Sequence, residues 1–141
     1  MAVQDHAALV QSVYTAYNDR EFDRAVAAVT DNYEWLMTPT GQVFHGGEGM
    51  REYLAGWAEG FPDSTVEVTN VIVGEDQAVV EFTGRGTHSG TLATPMGDIE
   101  ATGQQAELHF CDVYEIADGK LRRGRSYFDL ATLMRQLGVV P

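Results

Sequence analysis

Apolar side chains recur at helical spacing in four stretches of the chain and at strand spacing in most of the rest. Over residues 5–18, Val10, Val13, Tyr14 and Tyr17 fall at i, i+3, i+4 and i+7, which makes one stripe of an amphipathic helix, with Asp5 placed to cap it. Phe22, Ala25, Val26 and Val29 repeat the pattern over 21–29, so two helices are predicted to form a hairpin across Asn18-Asp19. Residues 33–38 read as extended, Thr38-Pro39-Thr40-Gly41 as a turn, and 42–44 as a short returning strand. A third helix follows Gly46-Gly47, carries Met50, Tyr53, Leu54 and Trp57 on one face, and stops at Phe61-Pro62-Asp63.

From there the chain is mainly strand. Residues 65–73 are rich in β-branched side chains, and long strands are predicted at 78–88 and 104–116. The glycine-rich stretch 89–103 between them reads as a loop. Asp118-Gly119 is a hairpin signal, and 120–128 returns. Asp129 then caps a closing helix with Leu130, Leu133, Met134 and Leu137 on one face, ended by Gly138. Helices first, meandering strands after, and a terminal helix describe an α+β fold: a cone-shaped, curved antiparallel sheet packed on three helices from the N-terminal half, plus a short C-terminal helix. At 141 residues, one domain over 1–141 is expected.

Composition narrows the partners. With 44% apolar and 10% aromatic residues the chain has enough for a core and a ring-lined cavity. The net charge of -12 opposes a phosphate backbone and an anionic membrane surface, so neither nucleic acid nor membrane is expected as a partner. Cys111 is the single cysteine, which rules out an internal disulfide; a packing role is expected for it, and a reducing cytoplasm is the default location. The first residues carry neither a basic nor an apolar segment of the kind a signal peptide needs. The four histidines show no metal-binding spacing, and no glycine-rich phosphate loop follows a strand, so neither metal nor cofactor is expected.

Strand parity selects the candidate chemistry. Ala106, Leu108, Phe110, Asp112, Tyr114 and Ile116 share a face that should look toward the helices, which sets the Asp112 carboxylate among apolar neighbours. Such a group must find donors or become protonated, and a raised carboxylate pKa suits proton abstraction from carbon. The plainer role is a core tie to Tyr or Arg side chains. On the neighbouring strand Phe82 and His88 share the inner face with Gly84 and Gly86, whose missing side chains suit curvature or a close approach. His88, at the strand end, is a candidate acid, base or donor, and Tyr14 a candidate donor to a carbonyl oxygen. Tyr17, Trp35, Trp57, Phe82, Phe110 and Tyr114 are candidate pocket walls as well as core residues. Arg122, Arg123 and Arg125 are expected to pair with carboxylates; with Tyr127 inward, Arg125 is placed to orient Asp112. His45, before a helix start, reads as a loop residue.

Several segments together resemble the NTF2-like (cystatin-like) superfamily, and within it the SnoaL-like polyketide cyclase group. They are Trp57 with Phe61-Pro62-Asp63, the run from Gly84 to Gly90, Ala101-Thr102-Gly103, the run from Asp112 to Ile116, Asp118-Gly119-Lys120-Leu121, and Tyr127-Phe128-Asp129. The resemblance implies a cone-shaped α+β barrel, a homodimer through the outer sheet face, and a pocket for a small hydrophobic organic molecule. It also implies an aspartate base for an intramolecular aldol closure without metal or cofactor, carried here onto Asp112. Ketosteroid isomerase and limonene epoxide hydrolase are similar relatives with different chemistry. Two other readings stand beside the cyclase-like or isomerase-like enzyme: a non-catalytic binding protein for a lipophilic metabolite, and a dimerising interaction domain using the face that carries His109, Cys111 and Val113.

Overall fold

The computed structural model describes residues 3–139. Its elements run α1 (Val3–Asp19), α2 (Phe22–Val26), β1 (Val29–Met37), β2 (Gln42–His45) and α3 (Gly46–Gly60), then β3 (Thr65–Val73), β4 (Gln77–Thr87), β5 (Gln105–Ala117), β6 (Lys120–Phe128) and α4 (Leu130–Leu137). The predicted order holds throughout. Boundaries differ mainly in the N-terminal half, where β1 starts at Val29, four residues before the predicted strand. Asp5 lies inside the first turn of α1 instead of capping it, and α2 ends at Val26, because Val29 already pairs with Leu121 as the first residue of β1. Arg20 makes the turn between α1 and α2 with a positive φ, and its guanidinium donates to the carbonyls of Tyr17, Pro62 and Ser64.

Six strands form one curved sheet in the order β2-β1-β6-β5-β4-β3, open at both edges. Hairpins join β3 through β6 as antiparallel neighbours, as the meander predicts. The β1–β6 pair is parallel, since β1 is laid down before the helical crossover and the meander returns to its edge from the other end. Register shifts interrupt β1, β3 and the β5–β6 ladder, and bulges of this kind add the twist that bends a sheet. α1 and α3 cover the concave face, and α4 closes over one end of β5.

One bulge decides which side chains face inward. Ile116 pairs with Leu121, but Glu115 pairs with Arg123, so Arg122 is an extra residue and the alternation of β6 reverses there. Leu121, Gly124, Ser126 and Phe128 therefore look inward, while Arg123, Arg125 and Tyr127 look outward. The inward placement of Arg125 and Tyr127 is corrected on this ground: Arg125 Nε donates to the Tyr127 hydroxyl at 2.9 Å on the outer face, where Tyr127 is 45% exposed. Arg122 pairs with Glu115 at 2.6 Å and Arg123 approaches Glu34 at 3.9 Å, as expected of these arginines.

The core falls into two clusters. The larger joins α1, α3 and β1 to the inner faces of β4, β5 and β6. The smaller gathers Phe61, Leu92, Leu108, Leu133 and Leu137 under the 89–103 loop and α4. No helix among the described residues is long and apolar enough to cross a membrane.

Candidate active site

A cavity of about 80 Å³ lies between the concave face and the helices α1 and α3. Along β5 its wall runs from Ala106 to Tyr114, about 27 Å of strand, so the free space is a narrow slot. Tyr14, Tyr17, Trp35, Trp57, Phe82, Phe110, Asp112 and Tyr114 all line it, and the structure brings these eight sequence candidates together. The glycines of β4 serve a close approach. A Cβ on Gly84 would stand 3.2 Å from the Phe110 ring, and one on Gly86 would stand 2.8 Å from Ser64 Cβ, where the segment after α3 crosses the sheet. That crossing places the Ser64 hydroxyl 2.6 Å from the Tyr17 hydroxyl.

Asp112 is 3% exposed and sits at the deep end. Its Oδ2 accepts a hydrogen bond of 2.7 Å from the Tyr14 hydroxyl, and the Tyr14 and Tyr114 hydroxyls are also 2.7 Å apart. A phenol has one proton, so Tyr14 giving its own to Asp112 receives that of Tyr114. The result is a buried relay, Tyr114 to Tyr14 to Asp112. Ser126 faces Asp112 across the ladder; it is close enough to favour the charged carboxylate but does not meet full hydrogen-bond geometry with it. Burial lifts the Asp112 pKa from 3.8 to about 7, against the lowering effect of Ser126 and Tyr14. Burial first, and the charge of Asp112 second, hold the hydroxyls of Tyr14, Tyr33 and Tyr114 well above the usual range.

His88 sits elsewhere. Asp112 pairs with Val80, and His88 lies eight residues farther along, about 27 Å of strand away. It is fully buried against Phe61, and its Nδ1 accepts from the Thr102 backbone N–H at 3.2 Å and lies 2.9 Å from the Thr102 hydroxyl. Inward parity was right for His88, but its place on the strand fixes the 89–103 loop and keeps it out of the slot.

Two phenols of the pocket were not singled out from the sequence as candidates. Tyr33 and Tyr53 both line the slot. Tyr33 shares its strand face with Trp35, and Tyr53 lies one turn before Trp57 on α3, so parity and helical spacing were the signals available.

Outside the slot, a wider groove of about 710 Å³ runs between α3, α4 and the 93–99 segment. Tyr53, Trp57 and Leu133 belong to the walls of both spaces. Among the described residues, no three His, Cys, Asp or Glu side chains come together as a metal site.

Comparison with known proteins agrees with the fold. TsrD from Streptomyces laurentii superposes with a TM-score of 0.85 at 26% identity, covering 99% of each chain. TerC co-crystallized with polyporic acid aligns at 0.74 and 19% identity over 95% of this chain and 98% of its own. A Catenulispora acidiphila protein of ketosteroid isomerase-like fold, solved with trimethylamine, aligns at 0.77 and 13% identity over 94% and 93%. Among curated proteins none matches the chain. The sequence pattern described as SnoaL-like polyketide cyclase matches residues 7–137. With that match across nearly its whole length, the chain belongs to the SnoaL-like polyketide cyclase family, a family of enzymes.

Proposed function

We propose that the protein is a cofactor-independent enzyme in which Asp112 removes a proton α to a carbonyl of a small hydrophobic compound. The observation that carries this reading is one carboxylate, 3% exposed and lifted to about 7, at the end of an apolar slot. A base with a pKa near the working pH combines adequate basicity with a populated charged form. In the step itself, the C–H electron pair becomes the C=C bond of an enolate, the carbonyl π pair moves onto oxygen, and the proton goes to Asp112. The enolate carbon then either attacks a second carbonyl of the same molecule, closing a ring as Asp112 returns its proton to the new alkoxide, or is reprotonated at another carbon. The first outcome is an aldol cyclisation and the second an isomerisation. Tyr14, donating to Oδ2, orients the carboxylate and leaves Oδ1 for the substrate; it is a positioning residue.

The test uses cyclohex-3-enone, a small β,γ-unsaturated ketone, whose shift to conjugated cyclohex-2-enone is followed by the absorbance gained. The wild-type protein should accelerate the shift over buffer, with a rate that rises with pH and levels above about 7. Asp112→Asn should lose about 100-fold or more, the size of a general-base contribution. An Asn variant as fast as wild type, or a wild-type protein no faster than buffer, refutes the assignment.

A further inference from the structure

The deep end of the slot holds more polar atoms than its internal bonds satisfy. Tyr33 Oη, Trp35 Nε1, Asp112 Oδ1 and Ser126 Oγ are all buried without a hydrogen-bond partner. Tyr33, Trp35 and Asp112 line the slot, and Ser126 stands directly across the ladder from Asp112. Ser126 lies near the Asp112 carboxylate and the Tyr53 hydroxyl, and Trp35 near that same hydroxyl, all short of full hydrogen-bond geometry. Buried polar groups in native proteins are nearly always paired, and four such atoms at one place ask what completes their bonding.

The sheet brings them close. Trp35 is the register partner of Gly124, and Gly124 of Tyr114; Met37, Ser126 and Asp112 form the next inward-facing row, about 7 Å along the strands. Gly124 has no side chain to fill its place in the first row. The indole of Trp35 lies across it, where a Cβ would stand 2.5 Å from Cζ3, and reaches the Tyr114 ring at a centroid distance of 5.1 Å. Tyr33 stacks beside the same indole, its ring tilted by only 16°. The rings thus form a flat-walled end to the slot, with the indole N–H and a phenol O–H buried within that end.

The chemistry of these polar atoms is complementary. An indole N–H only donates, so an acceptor must meet it, whereas an ionised carboxylate oxygen only accepts. Resting on the Asp112 reading, the geometry points to Tyr33 and Trp35 as the donors that hold the substrate's carbonyl oxygen, and to a flat, enolisable ketone or its enol as the substrate class. Oxygen charge that develops as the α-proton leaves is then met by two prepositioned donors in a dry site, where such bonds strengthen as charge grows. Tyr14 does not compete for this task, because its proton already goes to Asp112.

Binding by calorimetry tests this separately from turnover, with phenol as a ring-bound enol mimic and toluene as its apolar counterpart. Wild type should bind phenol more tightly than toluene. Tyr33→Phe removes only a hydroxyl that has no internal partner; it should weaken phenol about tenfold, the size of one hydrogen bond in a buried site, and leave toluene within about twofold. Trp35→Phe should lower the phenol-to-toluene ratio by a similar factor. Because both ligands share the cavity, the ratio stays meaningful even if the smaller ring loosens the wall. An unchanged ratio in both variants overturns the donor assignment and leaves Asp112 as base. Turnover that survives in Asp112→Asn overturns the base and leaves the donors to be judged on binding alone.

Discussion

Asp112→Asn removes one titrating group from the cavity and hardly changes its shape. In the unfolded chain this carboxyl titrates near 3.8; in the fold, near 7. The sign follows from where the proton sits. Below about pH 4 both states hold it; from about pH 4 to 7 only the folded state does, so wild-type stability falls as pH rises; above about 7 the carboxyl is charged in both and the loss is complete. Roughly three pKa units at 1.36 kcal/mol each make the full loss about 4 kcal/mol. The variant escapes it. Between about pH 4.5 and about pH 8 the Asn protein should therefore gain about 3 kcal/mol on wild type, or roughly 10 °C in Tm for a chain of this length. Denaturant unfolding of both proteins at the two pH values measures this, and the other 20 acidic residues of the 21 cancel in the difference. Any fixed effect of the amide on Tyr14 shifts both points equally. A stability difference that does not change with pH would refute the raised pKa, and with it the reason for placing a base here.

Two further outcomes follow from the geometry. Tyr14→Phe removes a bond to the charged form of Asp112, so the midpoint of the isomerisation pH profile should move upward by about one to two units, equivalent to 1.5–3 kcal/mol; a midpoint that stays or falls contradicts the relay. Gly124→Ala drives a methyl to 2.5 Å from Trp35 Cζ3 and 2.8 Å from Val113 O, and should cost about 1–3 kcal/mol in denaturant unfolding with a changed near-UV circular dichroism spectrum; full stability would show that the indole is not seated by the missing side chain.

How much of this was legible from the chain differs from residue to residue. Asp112, Tyr114 and Phe110 were placed by simple alternation, since β5 carries no bulge between 105 and 115. On β6 the same rule fails. Counting by twos from buried Leu121 leads to Arg123, Arg125 and Tyr127, and only the extra residue at Arg122 reverses the faces. A bulge is set by pairing with another strand, which local sequence does not encode. His88 shows a second limit: parity gives the side of a sheet but not the depth along it, and eight residues separate the right face from the right place. The parallel joining of β1 to β6 depends on how the helical half wraps back, again a long-range matter. Tyr33 was within reach, two residues from Trp35 on the same face, but nothing in the chain marks which phenol will be left unbonded.

The partition made by Tyr53, Trp57 and Leu133 separates two kinds of selectivity. Under the proposed function, the inner chamber would judge the reacting unit by fit and charge, and the outer trough would meet whatever that unit is attached to. On that reading, changes on α3, α4 and the 93–99 segment would alter the cargo accepted without touching the proposed base.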